Sequence, residues 1–496
     1  VDTDERVRVS AIRALGALRD GRATAPLLER AAALFASYRT AKTGGVTHPQ
    51  EVNDLLEIAT ALSRILANTW DVNAVKWLRE FRDAEERKSP EIEIAMARIA
   101  PALYVRERPF DKISDASVRA ALFKDWKEVS SLAQGLGEIS VIKSETAGNS
   151  VIGLQADAQM MLRALLEDAG LPPLAAPDVL RAFGAFKAND ASEVMRKQLK
   201  NTDVFMRATA AELLGELPPE EASARALAEA LPVAMRDQFN DAALAILDAL
   251  GKQKSPSAIE AIKTALESED HLVRRRGVAL LKASGAGDFS SRLGTVATRN
   301  TVADYQRALA RAGKRVRATV TIDKGSFVIE LLPEEAPLTV DNFAQLARRG
   351  YFNGVMFHRV VPNFVIQGGD PRGDGNGGPG YQIRCEINEA RYDTGAVGMA
   401  LSGKDTGGSQ WFVTHSPQPH LDGGYTVFGR ILSGMDVVDR VARGDIIRRI
   451  SVTEVVPTAS KPGTAATVKA STGTGKRKST AQRAPDEAAK KKRTQR

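Results

Sequence analysis

From residue 1 to about residue 310, Ala and Leu recur at i, i+3, i+4 and i+7, with short Gly, Pro or Asp breaks between segments. That spacing predicts a succession of helices, each with an apolar stripe. A longer period lies beneath it. Val7-Arg8, Ala11 and Leu15-Gly16 return as Met206-Arg207, Ala210 and Leu214-Gly215, with Asp4 and Asp203 ahead of the two copies. Phe239-Asn240, Ala243 and Leu247, then Val273-Arg274, Gly277 and Leu281, keep the same apolar register, and Val179 to Phe183-Gly184 is a weaker copy. The anchors 206, 239 and 273 lie 33 and 34 residues apart, the length of one helical hairpin. A hairpin of this kind cannot bury both of its faces alone, so neighbours must stack, and Ala or Gly at mid-helix lets them approach closely.

Near Arg315 the period changes from 3.6 to 2. Arg317-Ala-Thr-Val-Thr-Ile and Ser326-Phe-Val-Ile-Glu-Leu-Leu flank Asp323-Lys324-Gly325, a strand–turn–strand pattern. Short alternating strands continue to about Val456, interrupted by a helix expected over Thr339–Arg349. After Pro457 the chain is Ala, Thr, Lys, Gly and Pro without apolar periodicity, and disorder is expected. The chain is thus read as three parts: an α-helical repeat domain over 1–312, a β domain over 315–456 and a basic tail over 457–496. Asp304–Lys314 is read as a last helix running straight into the β domain, which makes the linker short.

Charge changes the picture little. The tail holds eleven Lys or Arg against Asp486 and Glu487, a net +9 that exceeds the +8 of the whole chain, so the rest is nearly neutral at −1. A basic groove for nucleic acid is therefore not expected in the folded part. Weak, salt-sensitive binding of nucleic acid through the tail, or a nuclear localisation patch, remains as a lesser alternative to a solvated tail. The single cysteine, Cys385, excludes an internal disulfide framework and a thiolate-rich metal site. No apolar run is long enough to span a membrane. The chain opens on Val1 and enters an amphipathic pattern at once, as a piece cut from a longer chain would, with any signal peptide upstream. A soluble, cytoplasmic protein is the expectation.

Several chemical motifs fail on context. Gly373-Asp-Gly375-Asn-Gly-Gly378 matches G-x-G-x-x-G, but Pro379-Gly-Tyr-Gln-Ile follows where a dinucleotide site needs a helix. Gly407-Gly-Ser409-Gln-Trp411 lacks the last glycine of a nucleophile elbow. His358, His415 and His420 do not fall at metal-ligand spacing with Cys or carboxylates, so neither metal nor cofactor is expected.

One pattern fits about 140 consecutive residues. Its centre is Phe357-His358-Arg359-Val-Val-Pro362-Asn-Phe364-Val-Ile-Gln367-Gly368-Gly369-Asp370. Ala336–Phe343 and Gly350–Gly354 precede it, and Gly398–Ala400, Gly408–Phe412, Leu421–Gly423 and Val427–Gly429 follow. In this order and spacing the segment resembles the cyclophilin-type peptidyl-prolyl cis/trans isomerases. The helical stretch resembles HEAT-type repeats, in which Asp-x-x-Val-Arg…Ala…Leu-Gly marks the second helix of each unit. That likeness is good at 4–20 and 202–217, fair at 237–285 and poor over 30–150, where an irregular helical bundle is the alternative.

The resemblance implies a closed eight-stranded barrel with a helix at each end, and catalysis without a covalent intermediate. It implies that Arg359 is the cation at the rotating amide, and that Phe364, Phe412 and Leu421 form the proline slot. Gln367 and Gln410 would hold Arg359 and the substrate backbone, while Ala400 and Leu401 would line the groove for residues preceding the proline. Three positions depart from the best-known eukaryotic members: Val365 replaces methionine, His420 replaces tryptophan and Tyr425 replaces histidine. Weak binding of cyclosporin is expected from His420. Proline-containing peptides and unfolded proteins are the implied substrates, and the repeats are read as a platform for them or for a protein partner. The competing reading is an interaction scaffold in which the barrel only docks proline peptides.

Overall fold

The computed structural model describes residues 4–85, 88–107, 115–142, 150–295 and 300–456. The tail 457–496, and with it the expectations for a basic segment, lies outside the described residues. Val1–Val456 forms one compact unit.

The repeat signature has a local physical basis. The Asp that opens each copy is an N-cap, its carboxylate accepting the orphan N–H groups of the first turn: Asp4 from Arg6, Asp203 from Phe205 and Met206, Asp270 from Leu272 and Val273. The following Arg reaches back and across. Arg207 donates to the carbonyls of Asn201 (2.5 Å) and Thr202 (3.1 Å) and pairs with Asp237 of the next repeat. Arg274 holds the carbonyls of Ser268 and Glu269 in the same way, and Arg8 pairs with Asp54 at 3.3 Å. The terminal glycine is the close-approach point. A Cβ on Gly16 would stand 2.8 Å from the Cα of Ala61 in the helix Glu51–Ile65, closer than such atoms can pack. Gly215 sits similarly against Ala249, 3.3 Å away. Helices continue through 30–142, where the repeat pattern fades, and share one continuous apolar core with the rest of the array. No helix is long and apolar enough to cross a membrane among the described residues.

The β domain is one antiparallel sheet of eight strands: β1 Arg315–Ile322, β2 Gly325–Leu331, β3 Arg359–Val361, β4 Val365–Gly368, β5 Ala396–Met399, β6 Trp411–Thr414, β7 Val427–Ser433 and β8 Arg449–Val455. Their order is β3-β4-β6-β5-β7-β2-β1-β8. Val316, Ala318, Val320 and Ile322 alternate inward along β1 and meet Phe327, Phe343, Phe357, Trp411 and Phe428 in the core. The helix expected over Thr339–Arg349 runs Pro337–Arg348 and packs its apolar face on this core.

The sheet is not the closed barrel that was expected. No ladder joins the edge strands β3 and β8. The chain segments just before them are joined instead: Met356 bridges Ile446, with Phe357 N–H to Asp445 O at 2.9 Å and Ile447 N–H to Val355 O at 2.9 Å. This junction is confined to four residues on either side, Gly354 to Phe357 and Gly444 to Ile447.

The array and the sheet meet over a wide front. Asn53 donates to the carbonyl of Val441 (3.0 Å), and Arg443 pairs with Glu91 (2.9 Å). Arg372 pairs with Asp203 (3.3 Å) and lies over the Phe205 ring at 4.7 Å. The amides of Asn240 and Gln382 exchange two hydrogen bonds of 3.2 Å. The chain passes between the two parts through the short helix Val302–Leu309 and Arg311. Arg311 is 2 % exposed, pairs with Asp341 and bonds Glu454 at 3.0 Å. Removing one partner of such a network strands the others in a dry site. Arg311→Ala should therefore cost about 3 kcal/mol of stability, measured by denaturant unfolding of the full chain. A loss below about 1 kcal/mol, the level of a surface pair, would contradict this.

Candidate active site

Register brings the polar residues of the site into line. On the antiparallel ladder Arg359 of β3 lies opposite Gln367 of β4, and Gln367 lies opposite Phe412 of β6. Adjacent strands and alternate side-chain directions therefore set a guanidinium, an amide and an aromatic ring side by side. Arg359 donates to Gln367 Oε1 at 3.3 Å, and Gln367 Nε2 donates to Gln410 Oε1 at 3.0 Å. Gln410 Nε2 in turn donates to the carbonyls of Gly375 (2.7 Å) and Gly377 (2.9 Å). The glycine-rich loop is thus tied down rather than free. Asp370, 1 % exposed, fastens it from beneath by accepting the N–H groups of Arg372 and Gly375 at 2.7 and 2.6 Å.

Arg359 is turned over the Phe364 ring, 5.5 Å from its centroid. Loss of hydration in the cleft pulls its pKa below the ordinary guanidinium value, though an arginine stays charged. Among the described residues no carboxylate pairs with it. Its neighbour His358 has no hydrogen-bond partner for either ring nitrogen among the described residues, and burial lowers its pKa.

The apolar candidates gather beside this line, apart from the main core of the sheet. Val365, Phe412 and Leu421 form a small cluster with Tyr392, Ala396 and Val427, and Phe364, Ala400 and Tyr425 pack against it. Phe412 stacks on Tyr392 (centroids 5.5 Å apart) and meets Tyr425 edge-on at 6.1 Å. Two candidates fall outside. Leu401 packs on the main core of the sheet, and exposed His420 is stacked on Phe364 at 5.7 Å. Tyr392 is the aromatic that sequence reading missed, since it stands outside every quoted block.

Across from the sheet stands the helical array, and two of the cavities between them border Gln367. The larger, about 390 Å³, is bounded on the sheet side by His358, Arg359 and Gln367, and on the array side by Tyr38, Glu85, Lys88 and Lys127 among others. The smaller, about 130 Å³, runs between Ala400, Leu401 and Gln410 and the array residues Phe239 and Asn240. Gln367 and Gly375 border both. Tyr38, Glu85, Lys88 and Lys127 carry no family signal in the sequence and lie in the stretch where the repeat pattern is weakest.

The curled antiparallel sheet thus carries an Arg–Gln–Gln line beside a small apolar cluster. The family model for cyclophilin-type peptidyl-prolyl cis-trans isomerases matches residues 317–460, and the chain belongs to that family. A PBS lyase HEAT-like repeat matches residues 7–33. Peptidyl-prolyl cis-trans isomerase B of Bacillus subtilis is 50 % identical over 132 residues, which cover 26 % of this chain and 92 % of that protein. A peptidyl-prolyl cis-trans isomerase of Helicobacter pylori is 45 % identical over 150 residues, 29 % of this chain and 92 % of its own. A solved cyclophilin-type isomerase of Cryptosporidium parvum, 31 % identical, aligns over 28 % of this chain and 98 % of its own with a TM-score of 0.27. The chain carries a cyclophilin-type isomerase domain.

Glu85 on the array wall gives a test of how dry the larger cavity is. Its carboxyl is buried, bonded to the Ser89 hydroxyl at 2.6 Å and N–H at 3.2 Å, and burial raises its pKa to about 7. A carboxyl whose folded pKa lies above its unfolded value stabilises the fold at low pH and loses that contribution as pH rises through the folded value. Between pH 4 and pH 8 the full chain should lose on the order of 3 kcal/mol from this group, and Glu85→Gln should remove that slope. Parallel stability-against-pH curves for the two proteins would show that the site is wet.

Proposed function

We propose that the domain accelerates rotation about X-Pro bonds in unfolded protein chains, with Arg359 as the catalytic cation and the helical array as one wall of the substrate cleft. Rotation must break amide resonance, a barrier of about 18–20 kcal/mol. It makes no new covalent bond, so a nucleophile has nothing to do. As the amide twists, the prolyl nitrogen regains a lone pair and the carbonyl swings out of plane. A guanidinium placed there donates to whichever becomes the better acceptor, and it favours the twisted state over both planar ones.

The observation that carries this reading is the state of Arg359. It is charged, partly desolvated, held by a neutral amide and unpaired with any carboxylate among the described residues. A guanidinium already neutralised by a carboxylate would have little field left for the substrate. Phe364, Phe412, Leu421 and Val365 would take the proline ring, with Tyr425 at the rim and His420 stacked behind Phe364. Gln367 orients Arg359, and Gln410 anchors Gln367. Ala400 and Leu401, bordering the smaller cavity, would meet the chain before the proline. Residues 1–312 and 315–456 act as two folding units joined at Arg311, and the array gathers unfolded client beside the cleft.

Arg359→Ala should lower kcat/KM on a proline peptide by about 10²-fold or more, followed by two-dimensional exchange NMR, with an unchanged melting temperature. Turnover within about threefold of the wild type would remove Arg359 from the mechanism.

A further inference from the structure

Among the described residues, the larger cavity is lined by a cation, Lys88, that isomerisation does not need and no carboxylate balances. Its carboxylates are each occupied by groups close at hand. Asp374 is paired with Arg372 (3.0 Å) and Asp178 with Arg181 (3.6 Å), while burial raises the Glu85 pKa to about 7 and its carboxylate is bonded to the Ser89 hydroxyl. The Arg443 cation is paired with Glu91. Lys88 and Arg359 have no carboxylate partner among the described residues. The Lys88 ammonium rests on the backbone carbonyls of Arg82 (2.6 Å) and Glu85 (3.3 Å), which engage two of its three donors. Lys127, from the helix Trp126–Glu138, reaches across to the neutral sulfur of Met356 on the sheet side at 3.0 Å. Cations from both walls thus face one chamber of about 390 Å³, a volume in the range of ligand pockets.

Resting on the isomerase reading above, we propose that this chamber selects X-Pro bonds flanked by an acidic side chain, with Lys88 of the array as a specificity-determining residue. A client threaded between array and sheet, its proline in the slot beside Arg359, must place neighbouring side chains in this chamber. A carboxylate there meets the Lys88 ammonium in partly dehydrated surroundings, where attraction exceeds that in bulk water. A lysine in the same place would be repelled, and opposing like charges contribute as much to selectivity as matching ones. Arg359 alone, shared by every substrate, cannot confer this preference, which is why the array has to supply it.

The test uses the full chain and short peptides carrying Glu, Gln or Lys at the two positions on either side of an Ala-Pro unit, with isomerisation read by exchange NMR. At one flanking position or more, kcat/KM for Glu should exceed that for Lys by about tenfold, with Gln between them. The ratio should shrink as salt is raised, a readout that needs no variant. In the variant Lys88→Met the Glu-to-Lys ratio should fall to near one. Equal rates for Glu and Lys peptides in the wild type, or a preference kept in Lys88→Met, would overturn the selectivity while the isomerase reading stands. Failure of the wild type to isomerise any of the peptides would overturn both.

Discussion

The site depends on keeping a guanidinium charged, oriented and uncompensated in a half-dry cleft. Water would screen it, and a carboxylate would neutralise it. Here a neutral amide does the holding: Gln367 accepts from Arg359 and passes the strain of position on to Gln410 and the carbonyls of the glycine-rich loop. That line exists because β3, β4 and β6 are in one register, with Arg359 opposite Gln367 and Gln367 opposite Phe412. A slip of one residue would turn each of these side chains to the other face. The buried carboxylate of Asp370 matters for the same reason, since it fixes the loop whose carbonyls end the line.

The helical array is part of this arrangement. N-cap aspartates, back-reaching arginines and close-approach glycines build a stack whose inner surface stands opposite Arg359. Asp203 joins the two tasks in a single residue. One of its oxygens caps the helix Val204–Glu216, and the other pairs with Arg372 beside the glycine-rich loop. Repeat geometry and cleft geometry are in this way coupled through one carboxylate.

Much of the sheet domain was legible in the sequence because its motif residues are close together in the chain and tightly spaced. The Phe357–Asp370 block alone supplies Arg359, Phe364, Val365 and Gln367. The repeats were legible where capping Asp, Arg and Gly coincide, at 4–20 and 202–217. What escaped was set by three-dimensional juxtaposition. Lys127 belongs to an ordinary amphipathic helix and Glu85 and Lys88 to the segment between the helices Val72–Ala84 and Pro90–Ile99, and they gain meaning only from the cavity they share with Arg359. Tyr392 is a lone aromatic in a loop until Phe412 stacks on it. The open edge between β3 and β8 escaped too, because alternation counts strands but cannot say which pairs of them exchange hydrogen bonds.

The central claim is that array and sheet together form the cleft in which an unfolded chain is handled. It is tested most directly by comparing the full chain with residues 315–456 expressed alone, a span close to the whole length of its bacterial relatives. The measured quantity is kcat/KM, first on a short neutral proline peptide and then on the proline-limited refolding of a protein. The account predicts similar rates on the peptide, which needs only Arg359 and the slot, and a rate on the refolding chain that falls severalfold without the array. Equal rates for the two proteins on both substrates would contradict it.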